Sequence, residues 1–114
     1  MIANTHRFHG HNSLNYVYKK GQTVRGPLTS LKYIQNQRRD SYRAAIVVSR
    51  KVHKSAVVRN RIRRRIFTIL ESYSQALPNY DMAIIVYDVE LKSIEFDKLE
   101  SKIADCLAPL FNSN

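Results

Sequence analysis

The stretch SAVVRNRIRRRIFTILESYS, Ser55–Ser74, decides how the remaining sequence is read. Within it Val58, Ile62, Ile66, Ile69, Leu70 and Tyr73 recur at spacings of three and four, one apolar stripe along an α-helix. Ser55 stands where an N-cap belongs. Five arginines fall in the seven residues Arg59–Arg65, and a helix distributes them around Ile62. Arg59 and Arg65 flank the stripe, while Asn60 and Arg64 lie nearly opposite it. Ile62 is thereby a core anchor, and the arginines form a structured basic face instead of a charged tail.

On either side of this helix the pattern changes to that of strands. Upstream, LTSLKYIQ (Leu28–Gln35) alternates, with Leu31 and Tyr33 on one face and Ser30, Lys32 and Ile34 on the other. After the polar turn QNQRRDS, YRAAIVVS (Tyr42–Ser49) reads as a second, more buried strand. Downstream, ALPN ends the helix and YDMAIIVY (Tyr80–Tyr87) is a nearly continuous apolar strand. Ser93 is placed to cap a final amphipathic helix carrying Ile94, Leu99, Ile103, Cys106, Leu107 and Leu110. Near the start, Asn12 or Ser13 opens a short helix that stops at Gly21, and VRGP then breaks regular structure. The order helix, strands, helix, strand, helix describes an α/β or α+β sandwich of one sheet with helices packed upon it.

One domain of 114 residues accommodates these elements, with residues 1–11 expected to form a loose polar arm. Apolar residues make up 44% and charged residues 25%, which excludes wholesale disorder. No apolar run approaches the ~18 residues of a membrane span, and MIANTHRFHGHNS lacks the apolar segment of a signal peptide. Cys106, the only cysteine, fits a small core residue. A cytoplasmic location is the default expectation.

The net charge is +10, and its distribution is more telling than its total. Residues 1–70 hold 16 of the 19 Lys and Arg with Asp40 as the sole acid, whereas residues 71–114 hold three lysines and eight acids. A chain so divided presents one strongly positive face to a polyanion. The segment RKVHKSAVVRNRIRRR (Arg50–Arg65) concentrates eight of those cations, including Arg50, Lys51 and Lys54, with no acid. Bidentate guanidinium groups beside a helix N-terminus suit phosphates. Asn60 stands among them either as a base or sugar contact or as an indifferent surface residue. Leu14 and Tyr18, four apart on the first helix, either receive unstacked nucleotides near Lys32 or pack the helix on the sheet.

Catalytic chemistry is harder to find. A two-metal nuclease needs converging carboxylates, yet Asp81 and Asp88 lie seven apart on one strand and point to opposite faces. There is no Ser/His/Asp set and no glycine loop for phosphate. His6, His9 and His11 have no acid or cysteine nearby to complete a metal site. The chain alone is expected to cut nothing and to hold no metal.

VSRKVHKSAVVRNRIRRRI (Val48–Ile66) resembles the protein subunit of bacterial ribonuclease P, in which a strand ends in small and basic residues and leads through a loop to an RNR helix. LNYVYKKG (Leu14–Gly21) is similar to that family's first helix and DMAIIV (Asp81–Val86) to its last strand, so the resemblance covers almost the whole chain. It implies a two-layer sandwich in which one four-stranded sheet carries three helices in the order α-β-β-β-α-β-α. The β-α-β crossover is then left-handed, against the common rule. It also implies the accessory subunit of an RNA-based endoribonuclease that removes the 5′ leader from precursor tRNA, with Mg2+ held by RNA and substrate. Binding of the catalytic RNA would fall on Arg50, Lys51, Lys54, Arg59, Asn60, Arg61, Arg63 and Arg64. The single-stranded leader would fall to Leu14, Tyr18 and Lys32. Leu14 stands where the family commonly has phenylalanine, Ala45 and His53 where it often has glycine, and Arg65 where it is often apolar. A ribosomal or other structural RNA-binding protein is the alternative. A membrane-surface role fits poorly, because the arginine helix spends its apolar stripe on a sheet and no Trp is present.

Overall fold

A computed structural model describes residues 11–26, 28–38, 41–73, 77 and 79–112, with side chains from Asn15 to Leu110. Residues 1–10 of the expected arm, with His6 and His9, lie outside the described residues, and His11 belongs to the first helix instead of the arm. Helix α1 spans His11–Lys20, β1 Gln22–Arg25, β2 Thr29–Gln35, β3 Arg43–Val47, α2 Ala56–Ser72, β4 Tyr80–Val86 and α3 Phe96–Asn112. A 3-10 turn at Val89–Lys92 precedes α3.

The four strands form one sheet in the order β1-β2-β4-β3, so the last strand is inserted between two earlier ones. β4 runs antiparallel to β2 and parallel to β3, with Leu31 opposite Ile84 and Ile46 also opposite Ile84. Insertion explains the composition of β4, since a central strand covered on both faces must be apolar at successive positions. It also corrects the reading of Tyr42–Ser49 as the more buried strand. β3 is an edge strand: Ala44 and Ile46, with Tyr42 and Val48 just outside its ends, are buried, while Arg43, Ala45 and Val47 are half-buried.

Two other expectations give way to structure. VRGP does not simply break the chain: Gln22–Arg25 pairs antiparallel with Ser30–Tyr33, and the Gly26 amide donates to the Thr29 carbonyl at 2.8 Å to close the hairpin. Strand propensity is weak in QTVR, and the supply of ladder partners from β2 overrides it. Ser93 does not cap α3. Asp88 accepts a hydrogen bond from the Glu90 amide at 2.8 Å and starts the 3-10 turn, Ser93 closes that turn, and α3 begins at Phe96.

The alternation of β2 places Leu31 and Tyr33 toward the main core, where they join Ala44, Ile46, Met82, Ile84 and Val86 of the sheet. α2 contributes Ile62, Ile66, Phe67, Ile69 and Leu70 to this layer, and α3 contributes Leu99, Ile103, Cys106, Leu107 and Leu110. Phe67 widens the stripe read from the sequence. The buried Cys106 thiol lies 3.3 Å from the Thr29 hydroxyl, a packing role. α1 packs against β2 and β4, with Val17 fully buried outside the main core cluster. Val17, which the sequence left off the Leu14–Tyr18 face, is thus the anchor of α1. Gly21 ends this helix with its amide bonded to the Val17 carbonyl at 2.8 Å. A side chain there would put Cβ 2.5 Å from the Val17 oxygen and 2.9 Å from the Tyr33 oxygen, so only glycine allows this close approach to β2.

Candidate nucleic-acid interface

The strand-loop-helix unit of β3 and α2 builds the basic face. Ser55 has extended backbone and its hydroxyl accepts from the Val58 amide at 3.4 Å, which starts α2 as an N-cap should. The Ser55 amide in turn donates to His53 Nδ1 at 3.0 Å, so the loop carrying Arg50, Lys51 and Lys54 is tied to the helix start. All three of these cations are exposed. Ile62 and Ile66 are fully buried against the sheet, and this fixes the rotation of α2. Asn60, Arg61 and Arg64 are consequently exposed, while Arg59, Arg63 and Arg65 are half-buried at the flanks.

The flanking arginines are bound into the protein in different ways. Arg65 donates to the Leu91 carbonyl at 2.8 Å and to the Ile94 carbonyl, joining α2 to the segment that enters α3. Arg63 donates to the Asn60 side-chain oxygen at 2.7 Å and to the Val48 carbonyl at 3.3 Å. The Arg59 Nε is sealed from solvent and has no hydrogen-bond partner among the described residues. Burial, and then the charge of Arg59, lowers the Arg63 pKa, and burial followed by the charge of Arg61 lowers that of Arg65. Both stay cationic at neutral pH, since guanidinium pKa values start above ~12. Like charges four residues apart on α2 thus act on one another, Arg59 on Arg63 and Arg61 on Arg65.

On the opposite side of the sheet, α1 and β2 frame a second region. Tyr18 is half-buried, and burial pushes its phenol above the ordinary value. Lys32 is half-buried on the face that α1 covers, its Nζ donating to the Thr23 hydroxyl at 3.3 Å. The Leu14 side chain lies outside the described residues. Sequence reasoning missed Tyr16, which is 56% exposed and lines a cleft of about 610 Å³ with Ile34, Asn36, Arg38, Arg43 and Asp81. Its position two residues from Tyr18, hence on another side of a helix, was the available signal. Asp81 is held there by three hydrogen bonds: Arg43 grips both its oxygens at 3.0 and 2.8 Å and Asn36 donates at 2.9 Å. With Asp88 capping the 3-10 turn, both Asp81 in β4 and Asp88 beyond its end have structural roles.

The fold and this face together define a class: small α/β proteins that turn a core-anchored basic helix toward a polyanion. The chain belongs to the ribonuclease P protein family, whose family model, described as Ribonuclease P, matches residues 2–110. It is similar to the ribonuclease P protein component of Pseudanabaena sp. (strain PCC 6903), at 29% identity over 95% of this chain and 93% of the relative. It is also similar to that of Synechocystis sp. (strain ATCC 27184 / PCC 6803 / Kazusa), at 35% identity over 61% of this chain and 57% of the relative. The fold matches the RNase P protein of Staphylococcus aureus with a TM-score of 0.84 and 25% identity, covering 94% of this chain and 98% of that one. The RNase P protein of Thermotoga maritima shares the fold with a TM-score of 0.75 and 22% identity, over 89% of this chain and 91% of that one. Among the described residues no helix is long and apolar enough to cross a membrane.

Proposed function

We propose that this chain is the RNA-binding, non-catalytic protein subunit of a ribonuclease P, acting in the cytoplasm on precursor tRNA. The observation that carries the reading is the rotation of α2. Burial of Ile62 and Ile66 holds Asn60, Arg61 and Arg64 outward as a preorganised set of donors, next to the exposed Arg50, Lys51 and Lys54. Preorganisation lowers the ordering cost of binding, and guanidinium groups engage phosphate through two parallel hydrogen bonds. This face takes the catalytic RNA. The side of the sheet under α1 takes the single-stranded 5′ leader, with Tyr18 offering a π-face and Lys32 a cation. The chemistry of hydrolysis belongs to the RNA, with Mg2+ held by RNA and substrate.

Reconstitution with the cognate RNA at limiting Mg2+ tests the reading. The protein is expected to raise the cleavage rate and to make the holoenzyme bind precursor tRNA more tightly than mature tRNA. A rate and an affinity ratio that do not respond to the protein would leave a structural RNA-binding role instead. Cleavage of precursor tRNA by the purified chain without RNA would overturn the non-catalytic assignment.

A further inference from the structure

Asparagine carries an acceptor and a donor on the same planar group, so its partner in the protein decides which end remains for a ligand. Arginine has only donors. The Asn60 atom held 2.7 Å from Arg63 Nη1 must therefore be the carbonyl oxygen, since the flipped amide would set donor against donor. The second arm of the guanidinium, Nη2, reaches the Val48 carbonyl just beyond β3 at 3.3 Å. Arg63 thus spans the gap between a strand end and the exposed helix face, and its planar fork sets the plane of the Asn60 amide. Residues three apart on a helix are neighbours, which makes this pairing natural.

We infer that Arg63 is a positioning residue for RNA binding, acting through Asn60 and making no phosphate contact of its own. Arg63 takes one of the two lone pairs of the Asn60 oxygen, and the side chain is exposed. With its oxygen drawn toward Arg63, Asn60 offers its Nδ2 hydrogens as the free donors. The RNA group those hydrogens take is an acceptor: a phosphate oxygen, a ribose oxygen, or a base carbonyl or ring nitrogen. The inference rests on the reading of α2 as the RNA face.

The test is a double-mutant cycle, with Kd measured against the in vitro transcribed cognate RNA over a range of salt concentrations. Asn60→Ala is expected to weaken binding about tenfold, as loss of a hydrogen bond to a charged acceptor does. Arg63→Gln should cost about as much, and combining the two should add less than about twofold, because both remove one oriented donor. Loss of a true phosphate contact lowers the slope of log Kd against log salt by about 0.7–0.9. That drop is expected for Arg64→Ala and not for Arg63→Gln. Asn60→Asp preserves the bond to Arg63, so this variant should fold at least as well as the parent by thermal unfolding. Having no outward donor, it should lose at least as much affinity as Asn60→Ala. Additive losses, a reduced slope for Arg63→Gln, or parental affinity in Asn60→Asp would each overturn the positioning role. If Arg64→Ala, Asn60→Ala and Arg63→Gln all left Kd unchanged, the RNA face itself would fall, and this inference with it.

Discussion

α2 and α3 are both 17 residues long and both bury apolar residues against the same core. Their charges follow opposite logic. α3 begins with Asp97 in its first turn, where the positive end of the helix dipole favours an acid. α2 has no acid in its first turn and no base in its last, and Arg59 and Arg61 crowd its N-terminal half, where the dipole disfavours cations. The charges of α3 serve α3. Those of α2 oppose the helix that carries them, and a polyanionic partner is what turns that arrangement into a gain.

The comparison can be broken first at the core, where the two helices should behave alike. Ile62→Ala in α2 and Leu107→Ala in α3 each empty a fully buried site, and each is expected to cost about 2–5 kcal/mol in chemical unfolding. A small loss in one helix alone would end the claim of equal anchoring. Next in size is the tie between them. Arg65→Ala frees the Leu91 and Ile94 carbonyls, and a stability loss of about 1–3 kcal/mol is expected. The salt slope of RNA binding should stay at the parental value, because this guanidinium is spent inside the protein.

Arg64→Ala reverses that outcome. The side chain is exposed, so stability should change by less than about 0.5 kcal/mol, while RNA affinity should fall about tenfold, or roughly 1.4 kcal/mol. Equal stability loss in Arg64→Ala and Ile62→Ala would mean that α2 is rotated differently. The smallest effect belongs to α3: Asp97→Asn should cost about 0.3–1 kcal/mol through the helix dipole and leave RNA affinity within about twofold. A larger change in binding would bring α3 into the RNA interface.

Much of α2 was legible because its determinants are local. A cap at Ser55 and a repeat of three and four through Ile62, Ile66, Ile69 and Leu70 need no knowledge of distant chain. The edge position of β3 was not legible. Its apolar run YRAAIVVS has the composition of a buried strand, and only the insertion of β4 beside it shows that one face of β3 is half open. The start of α3 was misplaced for a related reason. Ser93 is a competent cap by type, but Asp88 captured the Glu90 amide first, and Arg65 holds the Ile94 carbonyl from another helix. On α1 the Leu14–Tyr18 spacing did not single out Val17, which is fully buried while Tyr18 is only half-buried.

The sequence by itself determined the rotation of α2, the outward placement of Asn60 and Arg64, and the division of the chain into a basic and an acidic part. Helical periodicity and formal charge are properties of neighbouring residues, so these needed no fold. Only the tertiary structure separated the arginines by role. Arg65 finds its acceptors 26 and 29 residues downstream, and Arg63 finds one 15 residues upstream. A guanidinium that ends on a protein carbonyl has the same sequence signature as one left free for phosphate, and only the position of distant backbone tells them apart.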